Sequence, residues 1–173
     1  MRIERVELYE LALPLVEPFI ISGGSITERR SLVVVLHDDA GHTGFGESPP
    51  FALPFYSEET LTSARDLIRH VLIPRVEGRE FASLEAVDAA VRANVRGNQF
   101  ARAGVETAAW DLEADIRGTG LAQLVGAHLN VTPAGSVSCG VALGIPEDRK
   151  PATLTRWVGG RVFYCLHGVE QDF

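Results

Sequence analysis

The chain has 173 residues, 46% of them hydrophobic and 23% charged, which fits one ordinary soluble domain with room for part of a second. There are 16 basic residues against 23 acidic ones, a formal net charge of −7, and the arginines form no stripe able to neutralise a phosphate backbone, so nucleic acid is excluded as a partner. No apolar run is long enough to cross a bilayer, and the opening MRIERVELYELALPL alternates charge with apolar residues, unlike a secretory signal, so the expectation is a cytoplasmic protein with no membrane partner.

In chain order, residues 3–13 read as a strand. Val6 and Leu8 fall in one phase and Leu11 and Leu13 in the other, and a bulge near Tyr9 would turn both pairs inward. Pro14 and Pro18 end regular pairing, and EPFIISGGSITERR, with its glycine pair, reads as a mobile surface loop. Arg30 to Leu36 is a β-branched run. DDAGHTG then turns the chain into a third strand, TGFGES, completing a three-stranded antiparallel meander. PPFALPFY holds three prolines in a short span and must be a shaped loop.

Helices follow. Ser57 reads as an N-cap with Glu58 and Glu59 favourable to the dipole, and Leu61, Ala64, Ile68, Val71 and Leu72 share one face up to Pro74. Ser83 opens a second helix that ends near Gly97. Asn98 caps a third, with Ala101, Val105, Ala108, Ala109, Leu112 and Ile116 on one face and Gly118 at its end. After a short LAQLVGA turn, residues 136–144 read as an apolar strand and 152–158 as a helix, the first β–α step of a parallel architecture. Strands first and helices after is the α+β pattern, a meander followed by a helical bundle.

Taken together, PFIISGG with a following Arg, GFGESPP, PFYSEET, NQFARAGVETAAWDLEADIRG and SCGVALG resemble the enolase superfamily. Within it they are similar to the muconate-lactonizing branch of o-succinylbenzoate synthases and N-acylamino acid racemases. The resemblance covers most of residues 1–145. It implies an N-terminal capping domain over residues 1–132, closing the mouth of a (β/α)8 barrel, with residues 133–173 as the start of an incomplete barrel that has an atypical tail. The family abstracts a proton next to a carboxylate, with a Lys as base and Mg²⁺ stabilising the enediolate. Its lysines lie on the second and sixth barrel strands, the first in a KxK motif, and three carboxylates on intervening strands hold the metal. Here the corresponding stretch reads GGRVFYCLHGVEQDF, and the one lysine in the sequence is Lys150. The resemblance therefore implies a chain that stops short of the catalytic centre, with no catalytic residue and no metal ligand, so that Mg²⁺ belongs to the full-length family and is not bound here.

Two loops carry the candidate site. The resemblance places Phe19, Ser22 and Gly23 against substrate, where a glycine-rich segment can fold over a ligand; the alternative is a plain connection between strands. Phe51, Phe55 and Tyr56 would line an apolar wall, or else staple their loop onto the next helix. Glu47 reads as a structural carboxylate, Arg102, Glu106 and Asp111 as ordinary surface support, and Trp110 as packing between helices and barrel. His37, Asp38, Asp39 and His42 sit at a hairpin tip, where turn geometry explains them better than a metal does. Cys139 and Cys165 read as free thiols. A small carboxylate substrate is expected only if a barrel is supplied. The competing reading is a binding module that self-associates into a homo-oligomer through residues 136–165, where an uncovered barrel strand would be exposed.

Overall fold

The computed structural model describes residues 1–21, 24–54 and 56–128. The expected barrel strand at 136–144, the helix at 152–158 and the tail lie outside them.

The sheet has three antiparallel strands in the order β2-β3-β4, with β2 at Arg5–Ile21, β3 at Gly24–His37 and β4 at Thr43–Ser48. The meander is as expected, but its first hairpin is much longer. EPFIISGGSITERR is not a surface loop: it carries the ends of β2 and β3, with Phe19 opposite Ile26 and Ile21 opposite Gly24. Branched residues on both sides of the glycine pair favour pairing, which runs as far as Ile21 and Gly24.

The irregularity is also displaced. Pairing is continuous from Arg5 to Pro14, and the register shifts between Pro14 and Phe19, not near Tyr9. Two prolines in that interval remove ladder donors, which explains the break. Without a bulge at Tyr9 the two phases stay on opposite faces: Val6 and Leu8, opposite Leu36 and Val34, pack toward the core, while Leu11 and Leu13 lie on the other side.

A short strand, β1 (Arg2–Ile3), pairs with β5 (Arg79–Glu80) and ties the chain start to the helices, with the Met1 ammonium donating to Phe81 O at 2.7 Å. The first helical segment begins later and ends later than expected. Thr60, not Ser57, is the N-cap, in a reciprocal capping box with Ser63. α1 (Leu61–Leu67) continues through a π turn at Ile68–Leu72 into α2 (Ile73–Val76), so Pro74 does not end it. Pro74 has no N–H for the His70 carbonyl, and the π turn absorbs the fault by letting Ile73 donate to Ile68 O. α3 (Leu84–Arg92) has Ser83 as its cap and stops at Arg92, short of Gly97. LAQLVGA is not a turn but part of α5 (Leu121–His128).

α4 (Gln99–Ile116) is the central element. Asn98 precedes it in a left-handed conformation without a side-chain capping bond. The cap comes from Glu59 instead, 3% exposed, which accepts from Phe100 N at 2.9 Å and Ala101 N at 3.0 Å. α4 lies directly against β4. A Cβ on Gly44 would stand 2.6 Å from the Leu112 Cβ, and one on Gly46 would stand 2.6 Å from the Ala108 backbone nitrogen. Asp115 accepts from Thr43 N at 3.0 Å and Asp111 from Phe45 N at 2.9 Å, covering the outer edge of β4. The spacings match, since four helical residues rise about 6 Å and two strand residues about 6.8 Å. Asp111, 2% exposed, is therefore not surface support. Nor is Arg102, which is buried and donates to Gln99, while Glu106 takes its ion pair from Arg92 at 3.5 Å.

Gly46→Ala is expected to lower the unfolding free energy by about 3 kcal/mol, because neither backbone can retreat. Asp111→Ala is expected to cost about 1–3 kcal/mol by leaving the Phe45 N–H without that acceptor. Urea unfolding curves for the two variants measure both effects, and midpoints equal to wild type would refute the packing argument.

Candidate functional site

The antiparallel order fixes where the candidate loops meet. β2 and β4 run the same way, so the chain leaves Ser48 at the end of the sheet where the β2–β3 hairpin also extends. β4 ends opposite Leu32, and the hairpin continues from Ser31 to Gly24, about 25 Å of two-stranded ribbon. Residues 49–54 and 56–59 lie outside helices and strands, beginning beside its base where Arg29 bonds to Pro49.

Apolar side chains are open to solvent here. Phe19 is 55% exposed and Tyr56 83%, and Val16, Ile20 and Leu53 are the other large exposed hydrophobics among the described residues. Of the expected site residues, Phe19 thus lies on a strand, and Phe51 and Tyr56 lie on the loop after β4, their rings 5.9 Å apart and inclined at 52°. Ser22, Gly23 and Phe55 lie outside the described residues. Val16, Ile20 and Leu53 were not singled out by sequence. Val16 and Ile20 each lie two residues from Pro18, where the hairpin is only two strands wide, and Leu53 adjoins Pro54 in the loop after β4.

The base of the site is polar. Gly44, Gly46 and Ser48 face α4, so by strand alternation Glu47 faces the opposite side of the sheet, the side that carries Leu11, Leu13, Arg29 and Ser31. Ser31 Oγ donates to Glu47 Oε1 at 2.5 Å and contacts the Ser48 carbonyl at 3.3 Å. Arg29 donates to the Pro49 carbonyl, and its guanidinium carbon lies 4.6 Å from the Phe51 ring centre. Burial pushes the Glu47 carboxyl above its ordinary value, against the Ser31 hydrogen bond and the Arg29 charge; burial also lowers the Arg29 guanidinium, against Glu47. Glu47 is a structural carboxylate, hydrogen-bonded to Ser31 and under the charge of Arg29. An Arg following PFIISGG enters the sequence reading only as part of the motif and without a role, because an arginine in a presumed loop has no visible phase.

Elsewhere, Asp38 accepts from Ala40 N at 2.9 Å and His42 N at 2.7 Å, shaping the β3–β4 turn, and His42 Nδ1 lies 2.6 Å from its other oxygen. Trp110 lines two recesses, of about 260 and 340 Å³, with Leu84 and Glu85 of α3 on both and Leu124 of α5 on the second. Among the described residues no three His, Cys, Asp or Glu side chains converge on one point. No helix among them is long and apolar enough to cross a membrane.

The Glu47 shift has a pH signature. Its folded-state pKa is raised, so its contribution to stability is full below the ordinary carboxylate range and is lost as pH rises through the raised value. Wild type is therefore expected to gain on Glu47→Gln between about pH 7 and about pH 4. Urea titrations at the two pH values test this, and a constant difference would mean that Glu47 ionises normally.

Residues 4–126 match the family model described as the mandelate racemase / muconate lactonizing enzyme N-terminal domain. An o-succinylbenzoate synthase of Bacillus subtilis is 38% identical over 79% of this chain and 37% of its own length. An N-succinylamino acid racemase of Thermus thermophilus is 41% identical over 84% and 37%. Among solved structures, the substrate-liganded L-Ala-D/L-Glu epimerase of Bacillus subtilis superposes with a TM-score of 0.65 at 32% identity, over 73% of this chain and 34% of that one. An enolase-superfamily member from Listeria innocua gives 0.71 at 31%, over 92% and 41%. This chain thus spans well under half the length of these relatives. It belongs to the mandelate racemase / muconate lactonizing enzyme family of the enolase superfamily, as that family's N-terminal domain.

Proposed function

We propose that residues 1–132 are the substrate cap of an o-succinylbenzoate synthase/N-acylamino acid racemase-like enzyme, with residues 133–173 the opening of its barrel domain. The cap would contribute specificity toward a small carboxylate through Phe19, Ser22, Gly23, Phe51, Phe55 and Tyr56. Proton abstraction, with Mg²⁺ supplied in the full-length family, would come from groups on a barrel, and this chain by itself would be inactive. The observation that carries the reading is the set of solvent-exposed apolar side chains at one end of the sheet, Phe19 and Ile20 on the hairpin and Leu53 and Tyr56 on the loop after β4. A soluble fold leaves such side chains bare where another surface or a ligand covers them. The relatives' names supply the substrate class.

The same bare side chains favour a second reading, self-association into a homo-oligomer. Light scattering separates the two, because a monodisperse monomer rules out the second.

The test of the first has two arms. The intact chain, with Mg²⁺ and an N-succinylamino acid in deuterium oxide, is expected to give no α-carbon exchange above a protein-free control. Joined to the remainder of the Bacillus subtilis o-succinylbenzoate synthase, it is expected to support exchange, with Phe19→Ala and Tyr56→Ala each lowering kcat/KM about ten-fold. Exchange by the chain alone refutes its inactivity, and a joined enzyme indifferent to both substitutions refutes the specificity role.

A further inference from the structure

We propose that Arg29 is the positioning residue of the candidate site, tying the loop after β4 to the stem of the β2–β3 hairpin so that the two segments are presented as one unit. The inference rests on the capping function above and deepens it.

The loop is poorly equipped to hold itself. Pro49, Pro50 and Pro54 have no N–H to donate, and a backbone–backbone bond from Leu61 N to Phe51 O at 2.9 Å ties the loop to the start of α1. Arg29 supplies what is missing. It stands on β3 opposite Leu13, on the paired stem rather than the tip. Its guanidinium donates to the Pro49 carbonyl at the start of the loop and packs on the Phe51 ring, which in turn touches Tyr56. A planar, forked cation can bond in its plane and stack through its face at once, whereas an ammonium cannot. Glu47, itself fixed by Ser31, provides the counter-charge that makes a partly buried guanidinium tolerable. A path of direct contacts therefore leads from the hairpin ladder through Arg29 to Phe51 and Tyr56.

Residue-resolved hydrogen exchange on the full 173-residue chain tests the proposal. In Arg29→Met the Leu61 amide is expected to exchange about ten-fold faster, roughly the effect of one lost charge-assisted hydrogen bond, while the Val34 and Ala108 amides stay at wild-type rates. Arg29→Lys is expected to resemble Arg29→Met. Asp111→Ala, which weakens the fold elsewhere, is expected to accelerate Val34 and Ala108 at least as much as Leu61, a pattern a merely structural Arg29 would share. The proposal is overturned by an unchanged Leu61 rate, by an equal rise at all three amides, by full rescue with Lys, or by failure of both Arg29 variants to fold. No substrate enters the measurement, so its outcome is separate from that of the joined-enzyme assay.

Discussion

Backbone meets backbone where β4 crosses α4, and the rest of the molecule is arranged around that contact. Gly44 and Gly46 present no side chain to Ala108 and Leu112, and Gly104 answers from the helix against Ser48. Such close approach would leave strand donors facing a helix surface, and Asp111 and Asp115 accept two of them. The edge of β4 is covered without a fourth strand, so the sheet stops at three strands on that side. At the helix's other end, Glu59 accepts from its first free N–H groups. One helix is thus fixed along its side by two carboxylates from within and at its start by one from the segment leading into α1.

That arrangement commits the two faces of the sheet to different tasks. The face toward α4 carries Leu32, Val34 and Leu36, all fully buried, and belongs to the core. The other face has no helix laid across it by the same contact, and polar groups persist there: Ser31 donates to Glu47 near the end of β4, and the Arg29 charge acts on the same carboxylate. Taking a carboxylate and a guanidinium partly out of water brings little net stability, since desolvation offsets most of their attraction. What the pair contributes is geometry, because Arg29 also holds Pro49 and Phe51.

Much of the fold was legible because it rests on local pattern. The meander order, the Ser83 cap and the buried face of α4 at Ala101, Val105, Ala108 and Leu112 all follow from periodicity and capping chemistry. What was missed depends on partners far along the chain. Asp111 looks like surface support and Asp115 shows no local role, and their strand partners lie 66 and 72 residues away. Glu59 looks like an N-terminal dipole charge for its own helix but caps another 41 residues on. The hairpin was read as a loop because a glycine pair and two prolines outweigh a few branched residues in any local count, whereas register with β3 decides the matter in three dimensions. At the site itself, the aromatic residues were visible by type, but which of them stands exposed was not, since exposure depends on where β4 stops.

Where β4 stops also governs mechanics. Up to Ser48 the sheet is three strands deep and fastened to α4; beyond Leu32 only two strands continue, and a two-stranded ribbon has little stability of its own. Pro14 and Pro18 withhold donors along the outer strand of that ribbon and discourage pairing with foreign strands, at the cost of the register shift between Pro14 and Phe19. A cap that meets a ligand needs a firm base and an adaptable tip, and the transition between them falls where Arg29 leaves the sheet to grip the neighbouring loop. Tyr56 and Phe51 are then carried by the firm part through Arg29, and Phe19 by the ribbon, so the two halves of the apolar surface differ in how freely they can adjust to what they cover.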